Sequence, residues 1–381
     1  MNHTILVTGI VFCSATSMLS AQSAQQSRQI PLTYFGAQIG NDLATSETGC
    51  FIGTAGSLVT DGTNDYILSN SHVLAREGVG IVGENIMHTA STACSNNALH
   101  VGELAADVPL SFSRRRANRV DAAVARITPN VQPATDSDGR ILHIGNNIDF
   151  TDAYAVSAQT VTASLGRAVK KSGRTTGLTY SSIGFVGVNI TVNYDGGRAY
   201  FTDQFVVSGG NFSAGGDSGS LIVTDDASAN PVGLLFAGSN TDTIANPIDT
   251  VLEQLNSALG LGNTSLRFGT SGDLGSFELT APTGGGGGND KPKKGGSKGG
   301  KRSTSIQQTG IAQALAVRNR NEARLHGHDG ILGSGIGIES GNGANITVFV
   351  NKANSSAKRH LPKKLEGINV EVRLSEEFYA Y

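Results

Sequence analysis

The 381-residue chain has no Trp, only 9 Pro and only 3 Cys. Charge is also scarce, with Asp, Glu, Lys and Arg together making up 16 % of the residues. That is too little for a long coiled coil, or for a chain kept open by self-repulsion. No apolar run after the amino-terminal stretch reaches the ~18 residues of a membrane-spanning helix. Gly is abundant instead, at 50 residues, about twice the usual share. It follows no three-residue period, which excludes a collagen-like helix. The composition points to short strands and tight turns, and the length predicts two or three domains.

The small charge is unevenly spread. Residues 1–288 carry 14 Lys/Arg and 23 Asp/Glu, a balance of −9, whereas residues 289–381 carry 15 and 8, a balance of +7. This split predicts two units with different surroundings or partners.

No Lys or Arg precedes the apolar stretch Ile5–Leu19. The stretch still has the size of a signal-peptide core, and the small residues after it predict cleavage after Ala21 or Ala24, so residues 1–24 read as a leader. A buried first strand is the alternative. Removing the leader removes Cys13. Cys50 and Cys94 remain, an even number that fits one disulfide in an oxidising compartment, or else two buried thiols. The expected location is secreted or periplasmic.

Residues 33–261 contain short apolar runs such as Ser57–Val59, Asp65–Leu68, Asp121–Ile127, Tyr200–Val207, Ser220–Val223 and Val232–Phe236. Turn signals at Asp61-Gly62, Asp138-Gly139 and Asp195-Gly196-Gly197 separate them, a pattern of antiparallel all-β structure. Asp249–Leu259 carries apolar residues at helical spacing and stops at Gly260. Residues 283–304 are mostly Gly, Lys and Ser with almost nothing to bury, so a flexible linker with a reach of roughly 26 Å is expected. Residues 305–381 regain apolar periodicity. A helix to about Leu325 and strands at Ile331–Ile338, Asn345–Val350 and Ile368–Val372 predict a small α+β module. The opposite charges would let this basic tail contact the acidic domain.

The richest motif is Gly215-Gly216-Asp217-Ser218-Gly219-Ser220. Glycines around Ser218 let the backbone turn sharply and expose a nucleophilic hydroxyl. The N–H groups of Gly216 and Ser218 can converge as an oxyanion hole. Such a serine needs a base, and the base needs an orienting carboxylate. Tyr66–Leu74 reads as a strand carrying His72, and Val120–Ile127 as an apolar strand with Asp121 at its mouth. Taken singly, each has a plainer use: a structural His, a turn-capping Asp or one paired to Arg119, a serine in a glycine loop.

Together, GDSGS around Ser218, SNSHVLA around His72 and VDAAVARI around Asp121 resemble the trypsin/chymotrypsin-like serine peptidases. The Lys171–Gly177 and Val232–Ser239 stretches resemble bacterial members. The resemblance covers about residues 45–260. It implies two six-stranded antiparallel β-barrels with the site in the cleft between them. His72 would be the general base, Asp121 would orient it and Ser218 would attack the scissile carbonyl. Counting back six residues from the nucleophile places Phe212 at the base of the side-chain pocket. Phe236 and Gly238 complete the expected substrate-binding residues, with Gly238 leaving one wall open. Phe212 offers no anion to a basic side chain, so specificity for Arg or Lys is not expected. In animal members the carboxylate at the place of Asp217 pairs with an amino terminus freed by zymogen cleavage; no activation sequence precedes the expected mature start here.

The expected function is thus a secreted serine endopeptidase acting on peptides or proteins without a cofactor. A catalytically silent scaffold is the alternative from another class, and esterase activity a minor third. His326-Gly327-His328-Asp329 reads as a turn, not a metal site. The tail's basic run lacks interleaved aromatics, so nucleic acid is not an expected partner. Arg114-Arg115-Arg116 reads as a solvated loop, with a basic exosite or a processing site as the other options.

Overall fold

The computed structural model describes residues 35–46, 49–88, 98–113, 115–127, 139–142, 153–270, 300–339 and 343–380. The expected leader, Cys94, Arg114 and residues 283–299 of the expected linker lie outside them.

The first half supplies β1 (Gln38–Asn41), β2 (Gly53–Thr54), β3 (Ser57–Thr60) and β4 (Asp65–Ser69). A one-turn helix α1 (Ser71–Leu74), β5 (Asn85–His88), β6 (Leu99–Asp107) and β7 (Ala123–Ile127) follow. The Asp61-Gly62 turn joins β3 to β4. Asp61 Oδ1 accepts the N–H groups of Thr63 at 2.7 Å and Asn64 at 2.8 Å, an Asx arrangement that reverses the chain.

The second half supplies β8 (Ala168–Gly173), β9 (Gly177–Tyr194), β10 (Gly197–Ser208), β11 (Leu221–Thr224), β12 (Pro231–Gly238) and β13 (Asp242–Pro247). Helix α2 (Ile248–Leu259) ends on left-handed Gly260, whose φ of 67° suits a residue without Cβ. A short β14 (Arg267–Phe268) returns to the first sheet.

The fold is two curled, mainly antiparallel sheets. The second closes as a six-stranded ring in the order β8-β11-β12-β13-β10-β9, with β9 pairing back to β8. The first has eight strands in the order β14-β3-β4-β7-β6-β5-β1-β2. It exceeds the expected six by two: the chain after α2 adds β14 to the edge of β3, with Phe268 opposite Val59, and the two-residue β2 pairs with β1 at the other edge. Ile248, Val251 and Leu255 of α2 are buried against the core of this first sheet. β12 is buried along its whole length. Its Leu234 faces the first core, Val232 and Leu235 the interior of the second barrel, and Phe236 and Ala237 a third cluster.

The tail forms α3 (Gly300–Arg320), α4 (Glu322–His326), β15 (Ile331–Glu339), β16 (Gly343–Asn351), β17 (Lys364–Leu365), β18 (Ile368–Ser375) and β19 (Phe378–Ala380). Helix α3 begins inside the segment expected to be linker. The tail strands extend the second sheet. Bulges in β9 turn its later part away from the barrel, where it pairs with β15 at Val186↔Ile336, Asn189↔Ser334 and Ile190↔Gly333. Arg373 of β18 forms an ion pair of 2.8 Å with fully buried Asp242 of β13. Among the described residues, no helix is long and apolar enough to cross a membrane.

Candidate active site

Strand β4 pairs with β7 through Ser69↔Ala123, which brings the end of one beside the start of the other. The expected strand through His72 instead stops at Ser69, and His72 sits on α1. Asn70 makes that turn: its carbonyl accepts the N–H of Leu74 at 2.9 Å, and its side-chain amide donates to the Asp121 carbonyl at 2.7 Å. Residues 49 positions apart therefore meet.

Asp121 is fully buried and the His72 side chain is 10 % exposed. His72 Nδ1 lies 2.6 Å from Asp121 Oδ2, and the His72 backbone N–H donates to Oδ1 at 3.1 Å. An ionised carboxylate can only accept, so the proton belongs on Nδ1 and Nε2 is left as the basic nitrogen. A third donor comes from the second barrel: the Tyr194 hydroxyl bonds Oδ2 at 2.8 Å. Burial pushes the Tyr194 phenol well above its ordinary range, and the charge of Asp121 adds to this. Asn246 accepts the Asp121 N–H at 3.1 Å and is itself held by Gln204 at 2.6 Å. Burial also raises the Asp107 carboxyl, which accepts the Ser71 hydroxyl at 3.2 Å.

Ser218 lies on a loop wedged between the two sheets. Thr54 donates its N–H to the Ser218 carbonyl at 2.7 Å and its hydroxyl to the Gly216 carbonyl at 3.0 Å. Gly219, with φ +91°, fits where a Cβ would collide with Ser69 Oγ and the Thr54 carbonyl. Gly216 also takes positive φ, +93°. The N–H groups of Gly216 and Ser218 are engaged by no other group among the described residues. The Ser218 hydroxyl donates to the Phe236 carbonyl at 3.2 Å, and Ser218 is fully buried.

Asp217 anchors the loop from behind. It accepts from the N–H groups of Thr175 at 2.8 Å and Thr176 at 3.1 Å, the Thr176 hydroxyl at 2.6 Å and the Ala214 N–H at 3.0 Å. Lys171 completes the site with its ammonium 3.4 Å away, both side chains fully buried. Burial pushes the Lys171 ammonium down, against the pull of Asp217. The cation beside Asp217 therefore comes from within the chain, from β8.

A cleft of about 590 Å³ opens beside His72. Leu43, Phe51 and Ile52 line one side, and Tyr194, Gly215 and Gly216 the other. Arg174 reaches into it across Gly216 and is steadied by Gln38 at 2.9 Å. Burial lowers its guanidinium, and Asp217 opposes this. Glu77 bridges the rim by accepting the N–H groups of Asp195 at 3.0 Å and Gly196 at 2.8 Å.

The expected pocket residues Phe212, Phe236 and Gly238 are not among those lining this cleft. Phe212 is buried in the core of the second barrel among Val169, Phe205 and Leu235, with the Lys171 ammonium 5.7 Å from its ring centre. Phe236 is buried too, and Gly238 is covered by β19 where an open wall was expected. Phe212 is 2 % exposed, and its ring packs into that barrel core. Cys50 lines the cleft, and the Cys50–Cys94 pairing falls outside the described residues. His326 bonds Ser334 at 2.8 Å and Tyr200 at 3.3 Å. His328 stacks on His360 at 4.6 Å. Among the described residues, no group of His, Cys, Asp and Glu is placed to hold a metal. Arg115 and Arg116 are exposed.

Sequence reasoning missed Tyr194, Asn246, Lys171 and Arg174. The Asp195-Gly196-Gly197 turn next to Tyr194 was visible, but nothing local marks its hydroxyl as facing Asp121. Lys171 and Arg174 stood in a stretch noted for resemblance without a role.

A family model described as the Nal1 C-terminal domain matches residues 137–274. No curated protein matches the chain. Solved structures that are similar include a glutamic acid specific serine protease, 23 % identical at a TM-score of 0.40 over 62 % of this chain and 99 % of its own. Thermobifida fusca protease A is 20 % identical at 0.39 over 62 % and 99 %. Nocardiopsis protease is 18 % identical at 0.41 over 62 % and 99 %. These are bacterial serine proteases of the chymotrypsin fold, and at such identity the likeness concerns the fold alone.

Proposed function

We propose that the chain is a secreted serine endopeptidase working through His72, Asp121 and Ser218. The observation that carries this is the 2.6 Å bond between His72 Nδ1 and buried Asp121, which leaves Nε2 basic at the wall of the cleft. Nε2 takes the Ser218 proton as Oγ attacks a peptide carbonyl. The N–H groups of Gly216 and Ser218 receive the negative charge that forms on the carbonyl oxygen. His72 then protonates the departing amine, and water hydrolyses the acyl-enzyme by the same steps. The Asp121 carboxylate stabilises the imidazolium. Arg174 beside Gly216 disfavours a cationic side chain there, which supports a preference other than Arg or Lys. In an oxidising compartment Cys50 pairs with Cys94, a bridge closing about 45 residues and contributing roughly 4 kcal/mol in the chain-entropy account.

One observation favours a silent scaffold: Ser218 is fully buried with its hydroxyl on the Phe236 carbonyl. A fluorophosphonate probe separates the two readings. The peptidase forms an adduct at Ser218 that is lost in Ser218→Ala and nearly lost in His72→Ala, and peptide hydrolysis falls by roughly 10⁴ or more in each. Absence of any adduct, together with absence of hydrolysis in a chain freed of residues 376–381, refutes the peptidase.

A further inference from the structure

Strand β12 is shared along one edge by two segments. Its start pairs with β11 through Ile222↔Gly233 and Leu221↔Leu234. The nucleophile loop continues along that edge, where Leu235 donates to the Ser220 carbonyl at 3.0 Å and accepts from the Gly219 N–H at 2.9 Å. Ser218 then reaches the Phe236 carbonyl. Past that point β19 takes over, antiparallel, with Ala380 opposite Ala237 and Tyr379 opposite Gly238. The other edge of β12 belongs to β13 as far as Gly238↔Thr243, so β19 and Ser218 lie on the same side.

The polarity is specific. β11 and β19 run in the same direction along β12, so β19 advances toward Ser218. The next residue of β12 on the side of β11 is Phe236, whose carbonyl holds the Ser218 hydroxyl. A peptide preceding a scissile bond needs this direction, because its last carbonyl must arrive at the nucleophile. On its other side β19 runs parallel to β9, with Phe378 opposite Val192 and Tyr379 opposite Asn193, next to Tyr194. Tyr379 and Ala380 line the same cleft as His72.

The strand is tied down from its amino-terminal end. Phe378 is fully buried in a cluster with Phe201, Phe236 and Phe349. Asn193 donates to the Phe378 carbonyl at 3.1 Å and to Glu377 at 3.2 Å. Glu377 also accepts from Asn351 at 3.2 Å. Tyr379, by contrast, is 53 % exposed, and its hydroxyl donates to Glu377 two residues back at 3.2 Å.

We propose that Phe378–Ala380 is a built-in occupant of a peptide lane on β12, lying as the acyl half of a substrate lies. Resting on the assignment of Ser218 as nucleophile, the proposal makes the full chain a self-occluded peptidase. The lane's ligand is an extended peptide with an aromatic side chain at the place of Phe378. Held in cis at an effective concentration of roughly millimolar, the strand outcompetes a free peptide without needing high intrinsic affinity.

The test uses the full chain, a chain truncated after Ser375, and Tyr379→Pro, which keeps Phe378 in its cluster but removes one strand donor. In a Ser218→Ala background, binding of a fluorescent peptide spanning residues 375–380 is read by anisotropy. The truncated chain and Tyr379→Pro should bind at least tenfold more tightly than the full chain. With Ser218 present, both should hydrolyse extended peptides with kcat/KM raised at least tenfold. Equal peptide affinity in all three overturns the lane. Stronger binding without any hydrolysis or Ser218 labelling upholds the lane and refutes the peptidase. Hydrolysis that Tyr379→Pro and truncation leave unchanged upholds the peptidase and overturns the occlusion.

Discussion

Tyr194→Phe removes a single oxygen from the candidate site. The ring keeps its edge contacts with His72 at 5.9 Å and Phe112 at 5.8 Å and its stacking on Phe201 at 6.1 Å, so packing is preserved. What is lost is one of two donors to Asp121 Oδ2, the other being His72 Nδ1. A hydrogen bond to a charged acceptor contributes about 1.5–3 kcal/mol net, and a buried acceptor left short is penalised on a similar scale. Stability should therefore fall by about 2 kcal/mol. Catalysis should fall less, because His72 N–H and Nδ1 still hold the carboxylate. A tenfold loss of kcat/KM, about 1.4 kcal/mol, is expected from the looser orientation. The sign of the pH effect is also fixed. With one donor gone, the charge of Asp121 is less neutralised and holds a proton on His72 more firmly. The acid limb of the rate profile should move to higher pH. Burial keeps the Tyr194 phenol protonated at working pH, so the wild-type bond persists across the profile. The assay is kcat/KM from pH 5 to 9 on one peptide, in variants freed of residues 376–381. Superimposable profiles would refute a positioning role for Tyr194.

Two further outcomes follow from buried charge. Lys171→Met leaves Asp217 buried without its cation 3.4 Å away, and breaking such a pair costs about 3–5 kcal/mol. The thermal midpoint and the rate of Ser218 labelling should fall together, and an unchanged midpoint would show that the pair does not hold the nucleophile loop. His326, wedged between Tyr200 and Ser334 with Glu322 and Arg318 nearby, is pushed by burial from 6.5 to about 4. The folded state binds fewer protons than the unfolded state between those values, so stability is full above 6.5 and declines as pH falls toward 4, by up to about 3 kcal/mol. Denaturant midpoints at pH 7 and 4.5 should differ in the wild type and nearly converge in His326→Gln; an undiminished difference would assign the acid sensitivity to other groups.

Much of the barrel pair was legible because it is written locally. The Asp61-Gly62 turn, the apolar run of β12 and the Gly260 stop each follow from neighbours within a few residues. The glycine turns around Ser218 were legible for the same reason, since Gly216 and Gly219 adopt a backbone that other residues rarely take. Asp121 and His72 were readable as adjacent to strands, and the β4–β7 ladder brings them together. The missing parts depend on which distant edge a segment finds. Tyr194 lies on an 18-residue strand whose bulges, not its alternation, decide what its hydroxyl meets. The charge split says nothing of which residues would pair, and one pair is Arg373 with Asp242. Yet the larger connection is the backbone ladder from β9 to β15, which net charge does not encode. β19 is the extreme case, with three residues and no turn signal. β11 stops at Leu221, so the hydrogen-bonding groups of β12 beyond Ser218 are left for another strand running the right way, and β19 takes them. An edge that could pair with an extended peptide is equally open to the chain's own strand, so on the peptidase reading the same groups that would bind a substrate bind β19 instead.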